Sequence, residues 1–279
     1  MSRSTWHTMP SADSIPRFDD LRLEIADAVA TLTFHRPQTR NALNANMMAE
    51  IGTAIRWIAE QQDIRVTVLR GSGGHFCAGG DLNSMRDTPP APAAGSDPAR
   101  ARYREFGSVL LLLNQLPCAV IAVVQGTCVG GGFGMAACAD VVIADDSARF
   151  GLPEPRHGFI PSQILPFLVR RLGEAPVRRI AVTAAVIDAS EAHRIGMVDR
   201  LVSSATLETE LAGQITQILT AAPRAVSAVK QLVLNASDAT LEQVLDDSVS
   251  RLLELLRGPE AHAGIEAFLA KRPPPWRTS

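Results

Sequence analysis

The most informative segment of the chain is Gly126-Thr127-Cys128-Val129-Gly130-Gly131-Gly132-Phe133-Gly134-Met135, and a second segment, His75-Phe76-Cys77-Ala78-Gly79-Gly80-Asp81, resembles it. Each is a glycine-rich turn that follows an apolar, strand-like run and precedes a segment able to begin a helix. Glycine lets the backbone approach a ligand closely and turn its N–H groups inward. Two such groups aimed at one point would form an oxyanion hole, although tight turns and close packing would account for either turn alone.

The bulk composition is that of a globular protein without a strong charge. The chain has 279 residues, is 46% hydrophobic and 20% charged, and carries a formal net charge of −2. It has no long Lys/Arg run, so we expect neither nucleic acid nor an anionic membrane as a main partner. Residues 1–18 are polar, contain Pro10 and Pro16, and lack the apolar segment of a signal peptide, which predicts a disordered lead and a cytoplasmic protein.

The cysteines give no sign of a metal or disulfide framework. None of the four has CxxC spacing, and a disulfide scaffold is improbable in a chain of this size. We therefore expect no metal site and small buried thiols at Cys77, Cys118, Cys128 and Cys138.

The pattern of apolar and polar residues predicts an α/β core followed by helices. A hairpin is expected over 21–34 with its turn at Asp27-Ala28, and a helix over 47–59 follows Asn44, a typical N-cap residue. Strand–helix alternation continues to about residue 150, whereas nearly every later segment has helical spacing. The helices expected there cover 164–172, 176–184, 190–195, 207–222, 225–234, 241–256 and 260–270.

The order and spacing of these pieces resemble the crotonase superfamily, the enoyl-CoA hydratase/isomerase fold. The resemblance runs from about Leu21 to Arg272. The motifs that carry it are His35-Arg36-Pro37 with Asn41-Ala42-Leu43, Phe76 to Leu82, Gly126 with Gly130-Gly131-Gly132, Ala139-Asp140, Phe150 to Glu154 with Gly158 to Pro161, Ala189 to Ala192 with Gly196-Met197-Val198, and Phe268 with Lys271-Arg272.

The resemblance implies a spiral of ββα repeats and an acyl-CoA thioester as substrate. Coenzyme A would then enter as part of the substrate, and no separate cofactor is expected. The implied regions are a lead over 1–18, a spiral core with the CoA and catalytic site over 19–204, and a helical region over 205–279 that assembles homotrimers or dimers of trimers. Within the core, residues 87–98 are rich in Pro, Ala and Gly, which predicts a mobile surface loop.

The resemblance also assigns the catalytic groups. Gly80 and Gly131 match the glycines whose N–H groups hold the thioester carbonyl, where negative charge develops during the reaction. Glu154 matches the family's most widely used catalytic carboxylate. An apolar pocket formed by Phe150, Pro153 and Ile160 would raise its pKa and suit it to exchange protons near neutral pH.

Gly134 is where the chain departs from ordinary straight-chain hydratases, which carry a second glutamate at this place. Two branches of the family manage without it, the Δ3,Δ2-enoyl-CoA isomerases and the bacterial hydratases of 3-branched glutaconyl-CoA esters. The chain resembles the second branch in Gly132-Phe133-Gly134 and in Ile160-Pro161-Ser162-Gln163-Ile164-Leu165-Pro166-Phe167. We expect glycine to open volume beside the substrate's β-carbon and to remove a charge that would repel a substrate carboxylate.

The resemblance to the second branch predicts hydration of isohexenylglutaconyl-CoA or 3-methylglutaconyl-CoA, with a weak preference for the bulkier isohexenylglutaconyl-CoA. A substrate carboxylate would be held by Arg156 or His157, with help from Ser162 or Gln163, and Gly134 would leave room for the branch. Arg156 and His157 could equally be a solvated surface pair. The residues expected to contact CoA are Arg36, Arg40, Ala78, Asp81, Asn83, Phe268 and Lys271, although their basic side chains could also be simply solvated.

Two other functions remain open from the sequence. One is a Δ3,Δ2-enoyl-CoA isomerase that uses Glu154 alone. The other, of a different class, is a catalytically inactive acyl-CoA-binding or scaffold protein. Motifs of other enzyme classes are missing, including the P-loop, His-Glu-x-x-His and Gly-x-Ser-x-Gly, and the glycines lack the βαβ context of a dinucleotide-binding fingerprint.

Overall fold

The computed structural model describes residues 15–276, apart from Asp87, Pro90, Ala91, Ala93 and Ala94. Most of the predicted lead over 1–18 therefore lies outside the described residues, and so does part of the predicted mobile loop over 87–98.

Strands and helices alternate through the first part of the chain. The strands are β1 (Leu21–Ala26), β2 (Val29–Phe34), β3 (Val66–Gly71), β4 (Ala119–Val124), β5 (Thr127–Val129), β6 (Val141–Asp145), β7 (Arg149–Gly151), β8 (Val186–Asp188) and β9 (Arg200–Val202). The helices are α1 (Ala45–Glu60), α2 (Leu82–Arg86), α3 (Pro98–Asn114), α4 (Gly131–Ala137), α5 (Leu165–Leu172), α6 (Glu174–Thr183), α7 (Ala189–Arg194), α8 (Leu207–Leu219), α9 (Pro223–Asn235), α10 (Leu241–Leu256) and α11 (Pro259–Leu269).

The strands form a six-stranded sheet, in the order β1-β2-β3-β4-β6-β9, and a three-stranded sheet, in the order β5-β7-β8. In the larger sheet only β1 and β2 are antiparallel, and their hairpin turns at Asp27 and Ala28 with φ of 47° and 64°. The remaining neighbours in that sheet are parallel. The predicted α/β architecture and the predicted hairpin are confirmed.

Both faces of the larger sheet are covered. Strand β4 is buried along its whole length, as expected for a parallel strand with packing on both sides. One face, which includes Val68 and Ile121, packs against Leu207 and Leu211 of α8. The other face belongs to the main core with α1 and α3, and this is the side on which the glycine-rich turns lie.

The part of the chain after residue 164 is less uniformly helical than expected. Strands β8 and β9 interrupt it, because three-residue strands are too short to produce a recognisable alternation. The predicted helix over 241–256 agrees with α10, and the others agree to within about three residues. Among the described residues, no helix combines the length and apolar character needed to cross a membrane.

Candidate active site

Backbone hydrogen bonds hold the two glycine-rich turns side by side. The Cys77 amide donates to the Thr127 carbonyl at 2.9 Å, and the Val129 amide donates to the Cys77 carbonyl at 3.0 Å. On the other side of the first turn, the Leu43 amide donates to the Gly79 carbonyl at 2.7 Å. Segments far apart in the sequence therefore meet at one place, as the similarity of the two turns suggested.

Glycine is required where the turns touch. Gly79 has φ of 82°, and a Cβ atom there would lie 3.1 Å from the Val129 carbonyl oxygen. Gly130 has φ of 52°, and a Cβ atom there would lie 3.4 Å from the Gly79 Cα. A side chain at either position would strain the backbone, and one at Gly79 would also crowd the Val129 carbonyl oxygen. The close approach of the turns therefore favours glycine at both positions.

Two backbone amides of these turns are available to a ligand. Gly80 and Gly131 both line one cavity, which Glu154 also lines. Within the described part of the chain, neither amide N–H donates a hydrogen bond to another residue. Gly131 is also the first residue of α4, where helix geometry leaves N–H groups unpaired. The arrangement suits the predicted oxyanion hole.

Glu154 places its carboxyl group against the second turn. It begins a short 3₁₀ helix, Glu154–His157, and a Cβ atom on Gly130 would lie 2.8 Å from its Oε1. The residue is 8% exposed, and its buried Oε2 has no hydrogen-bond partner among the described residues. Burial raises the pKa of the carboxyl group, and the nearby His157 partly opposes the shift. A buried, unpartnered acid beside an open cavity is typical of a group that exchanges protons with a ligand.

Ile164 occupies the space beside Gly134. A Cβ atom on Gly134 would lie 2.6 Å from the Ile164 Cβ and closer still to its Cγ2. Ile164 is 3% exposed and lines the cavity, whereas Gly134 is buried behind it. The expectation that Gly134 opens space beside the substrate is therefore wrong, because a side chain from another segment fills that space. Where straight-chain hydratases carry a second glutamate, the wall of this cavity is formed by the apolar side chain of Ile164.

The cavity itself is enclosed mainly by apolar side chains. Leu43 and Met48 come from the segment around the start of α1, Phe106 from α3, and Pro161 and Ile164 from the segment before α5. Phe106 also lies against Gly131, since a Cβ atom on that glycine would be 3.2 Å from its Cζ. A buried acid, free amides and an apolar lining together suit an acyl chain whose carbonyl group is held at the glycine turns.

The comparison with protein families gives a match to the enoyl-CoA hydratase/isomerase model over residues 24–279. The chain belongs to the enoyl-CoA hydratase/isomerase family. It is 32% identical to mevalonyl-coenzyme A hydratase sidH of Aspergillus fumigatus, over 90% of this chain and 92% of that protein. It is 33% identical to 1,2-epoxyphenylacetyl-CoA isomerase of Escherichia coli, over 90% of this chain and 95% of that protein.

Solved structures of the family have the same fold. Pseudomonas aeruginosa AtuE is 39% identical with a TM-score of 0.88, over 93% of this chain and all (100%) of that one. An enoyl-CoA hydratase/isomerase from Marinobacter aquaeolei is 37% identical with a TM-score of 0.88, over 93% of this chain and 99% of that one. The protein is thus an enzyme of the enoyl-CoA hydratase/isomerase type that acts on CoA thioesters.

The structure separates the residues expected to bind the acyl group. His157, Ser162 and Gln163 line the cavity of this enoyl-CoA hydratase/isomerase, whereas Arg156 does not. The 3₁₀ helix has three residues per turn, so Glu154 and His157 face the same way and Arg156 faces solvent. The expectation that Arg156 contacts an acyl carboxylate is therefore wrong.

The expected pocket around Glu154 also changes. Pro153 and Ile160 line the cavity beside the acid, although Ile160 is 69% exposed. Phe150 is fully buried instead and packs on Phe133 with ring centroids 5.6 Å apart. Phe150 thus supports the site from behind and does not line it.

The residues expected to bind CoA fall into two groups in this chain. Ala78 and Asp81 line the cavity. Arg36 lies near Asp81, but its guanidinium is 3.5 Å from Asp20 and 3.6 Å from Asp81 and also donates to the Ala42 carbonyl. The arginine is thus engaged in contacts within the protein, which argues against its expected contact with CoA.

The other four expected CoA contacts lie outside the cavity of this chain. Arg40 and Asn83 are exposed, and the Asn83 amide donates to Asp81 Oδ1 at 3.1 Å. Phe268, near the end of α11, is 81% exposed, and Lys271 follows the helix. The expected contact of these four residues with CoA stays a prediction.

Sequence reasoning missed one wall of the cavity. Arg102, Tyr103 and Phe106 line it from α3. Their spacing places them on one side of a helix, and Tyr103 is the single tyrosine of the chain. That pattern was visible, but nothing local to it indicates which side of the helix faces the glycine turns.

Proposed function

We propose that this enzyme hydrates a 3-branched glutaconyl-type enoyl-CoA, either isohexenylglutaconyl-CoA or 3-methylglutaconyl-CoA. The observation that carries the proposal is that, among the residues that the structure describes, one carboxyl group at the cavity is free. Asp81 also lines the cavity, but it is paired with Arg36, whereas Glu154 has an oxygen without a partner among the described residues. The apolar Ile164 beside Gly134 adds no second charge that would repel a substrate carboxylate.

In the proposed reaction Glu154 acts first as a base and then as an acid. Its carboxylate takes a proton from water while the water oxygen bonds to the β-carbon. The electron pair of the double bond moves toward the thioester, and the resulting enolate oxygen is held by the Gly80 and Gly131 amides. Glu154 then returns the proton to the α-carbon, so that one water molecule has been added. Each amide would lower the barrier by about 3–4 kcal/mol.

No separate cofactor takes part in this scheme. The thioester supplies the electron sink, the amides stabilise the charge, and one carboxyl group carries the proton. Among the described residues, no cluster of three or more His, Cys, Asp and Glu side chains is placed to hold a metal ion. We expect activity to survive dialysis against a chelator.

Assembly as a homotrimer or a dimer of trimers is part of the same proposal. Helix α10 exposes an apolar face that an isolated chain would leave in water. Light scattering should then give a mass of three or six times 29.8 kDa. A monomer at micromolar concentration would contradict this assembly. The exposed residues of the face are Leu241, Leu245, Val249, Leu252 and Leu256.

The nearest alternative is a Δ3,Δ2-enoyl-CoA isomerase, and the same lone acid favours it. An isomerase needs one group that removes a proton from one carbon and returns it to another, which Glu154 can do unaided. The two functions differ in whether water is consumed.

Turnover of four esters separates the functions. Isohexenylglutaconyl-CoA, 3-methylglutaconyl-CoA, crotonyl-CoA and a 3-enoyl-CoA are each incubated with the enzyme, and the products are identified by mass. We expect hydration of at least one branched diacid ester at a kcat/KM far above that of crotonyl-CoA. Double-bond migration in the 3-enoyl ester without hydration of any 2-enoyl ester would establish the isomerase. Tight binding of all four esters without turnover would favour an inactive acyl-CoA-binding protein.

A further inference from the structure

Arg102 is a cation at the cavity that the reaction scheme does not use. It lies in the first part of α3 and lines the cavity together with Tyr103 and Phe106. It is half-buried. Asp97 begins α3 as its N-cap, with its side chain accepting from the Ala99 amide, so this end of the helix is fixed.

Neutral groups hold the Arg102 guanidinium in place. Its Nη2 donates to Thr88 Oγ1 and to the Tyr103 hydroxyl, at 3.1 Å in both cases. Its Cζ lies 4.9 Å from the Tyr103 ring centroid. The Thr88 and Tyr103 oxygens are 2.8 Å apart, and Thr88 donates to the Met85 carbonyl at 2.7 Å. The arginine is therefore oriented before any ligand arrives.

No protein anion neutralises this guanidinium within the described residues. Arg36 pairs with Asp20 and Asp81, but no described carboxylate lies within salt-bridge distance of Arg102. A partly desolvated cation that has no carboxylate partner among the described residues has a free-energy cost that an incoming anion would offset. The planar guanidinium fork matches a carboxylate, which it can bind through two parallel hydrogen bonds.

The position of Arg102 suits the far end of the acyl chain. Phe106 lies against Gly131, where the thioester carbonyl is expected. Arg102 precedes it by four residues, about 6 Å along α3. A carboxylate at the far end of a short diacid chain would then reach Arg102 when its thioester lies at the glycine turns.

We propose that Arg102 binds the acyl-chain carboxylate, with Tyr103 and Thr88 as positioning residues. This inference rests on the proposed function in that it names the group that recognises its diacid substrate. In this role Arg102 replaces Arg156, which faces solvent. The chemical class of ligand is an acyl-CoA with a free carboxylate on a short acyl chain.

Binding of two saturated esters tests the inference without requiring any reaction. Glutaryl-CoA and valeryl-CoA have acyl chains of equal length, and only the first ends in a carboxylate. Calorimetry is performed on the wild type, Arg102→Ala, Arg102→Lys and, as the matched control, Arg156→Ala. We expect Arg102→Ala to weaken glutaryl-CoA roughly tenfold to a hundredfold and valeryl-CoA less than about threefold. Arg102→Lys should fall between, and Arg156→Ala should resemble the wild type.

Several results would overturn the assignment. Equal losses of affinity for both esters would mean that Arg102 contacts the CoA portion. A loss of affinity for glutaryl-CoA alone in Arg156→Ala would mean that Arg156, and not Arg102, binds the carboxylate. If Arg102→Ala does not fold, the lysine variant decides, because retained discrimination equal to that of the wild type contradicts a bidentate contact. A wild type that binds glutaryl-CoA through Arg102 but hydrates no diacid ester would refute the proposed function and leave this inference standing.

The positioning role of Tyr103 has its own readout. Tyr103→Phe removes the hydroxyl that accepts from Arg102 but keeps the ring beneath it. We expect a loss of glutaryl-CoA affinity of about threefold to tenfold, with valeryl-CoA affinity unchanged. An equal change for both esters would show that the hydroxyl supports only the general structure of the cavity.

Discussion

The two ends of one glycine run are in contact with different kinds of side chain. At Gly130 the missing Cβ makes room for the carboxyl oxygen of Glu154. At Gly134, one helical turn later, the missing Cβ makes room for Ile164. The first contact brings a titratable group to the cavity, and the second closes the cavity with an apolar wall.

The difference shows that a missing Cβ atom serves catalysis at Gly130 and packing at Gly134. Glu154 keeps an oxygen without a partner among the described residues. A buried polar atom without a partner lowers the stability of the folded protein by about 1–3 kcal/mol, and a role in packing alone would not explain such a residue. Ile164 is buried in the main core and has no polar atom to satisfy. Substitutions at the Gly130 end should therefore affect catalysis most, and those at the Gly134 end should affect stability most.

The largest expected effect follows from removing the acid. Glu154→Gln keeps the shape of the side chain but cannot exchange a proton in the same way, so we expect kcat to fall by roughly 10²- to 10⁴-fold. Steady-state kinetics on the best substrate, with circular dichroism to confirm folding, measure this. Glu60→Gln, at the exposed end of α1, is the matched control and should leave kcat unchanged. A Glu154→Gln variant with more than a tenth of wild-type kcat would remove Glu154 from the mechanism.

A methyl group at Gly130 tests whether the backbone places the acid. Gly130→Ala would bring Cβ to 2.8 Å from Glu154 Oε1 and hold alanine at φ of 52°. We expect kcat to fall roughly tenfold to a hundredfold because a misplaced reacting group is costly. The left-handed backbone should also lower the free energy of unfolding by about 1–2 kcal/mol. Kinetics and urea denaturation on the same sample separate the two effects, and a loss of stability with unchanged kcat would contradict the placement.

A methyl group at Gly134 should mainly change stability. Gly134→Ala forces Ile164 to move, and we expect a loss of about 1–3 kcal/mol in the free energy of unfolding. The loss should shrink by about 0.5 kcal/mol or more in an Ile164→Ala background, where the space is empty. Gly213→Ala is the control, because open space surrounds that helical glycine and alanine should stabilise by about 0.5–1 kcal/mol. Additive effects of Gly134→Ala and Ile164→Ala would show that the two residues do not compete for space.

The smallest expected effect is the pH dependence of stability at Glu154. Its pKa is raised in the folded protein, so the folded state keeps this proton to higher pH than the unfolded state does. Stability therefore falls as pH rises from the ordinary glutamate pKa through the raised value, and Glu154→Gln should escape this fall. We expect the melting temperature of the variant to exceed that of the wild type by a few degrees at about pH 8 and by less at about pH 4. If the difference in melting temperature between the variant and the wild type grew toward acid pH, the pKa of Glu154 would be lowered in the folded protein and not raised.

The sequence predicts most of the fold and the central part of the site. Hairpin β1–β2 and helix α10 carry strong local signals, an alternation around Asp27-Ala28 and apolar residues at helical spacing over 241–256. Gly131 and Glu154 are predicted from the characteristic order of their motifs, and the structure places both at the cavity. Strands β8 and β9 are missed because each is three residues long and gains its stability from pairing with distant strands.

The order of residues is enough to identify the groups present: the glycines of both turns, a lone glutamate after Pro153, and no acid at position 134. What those groups face depends on the tertiary structure. It placed Ile164 against Gly134, turned Arg156 away from the cavity and brought Arg102 into its wall. The physical reason is that glycine geometry and helical periodicity are local properties of the chain. The occupant of a gap, by contrast, depends on contacts between segments far apart in the sequence.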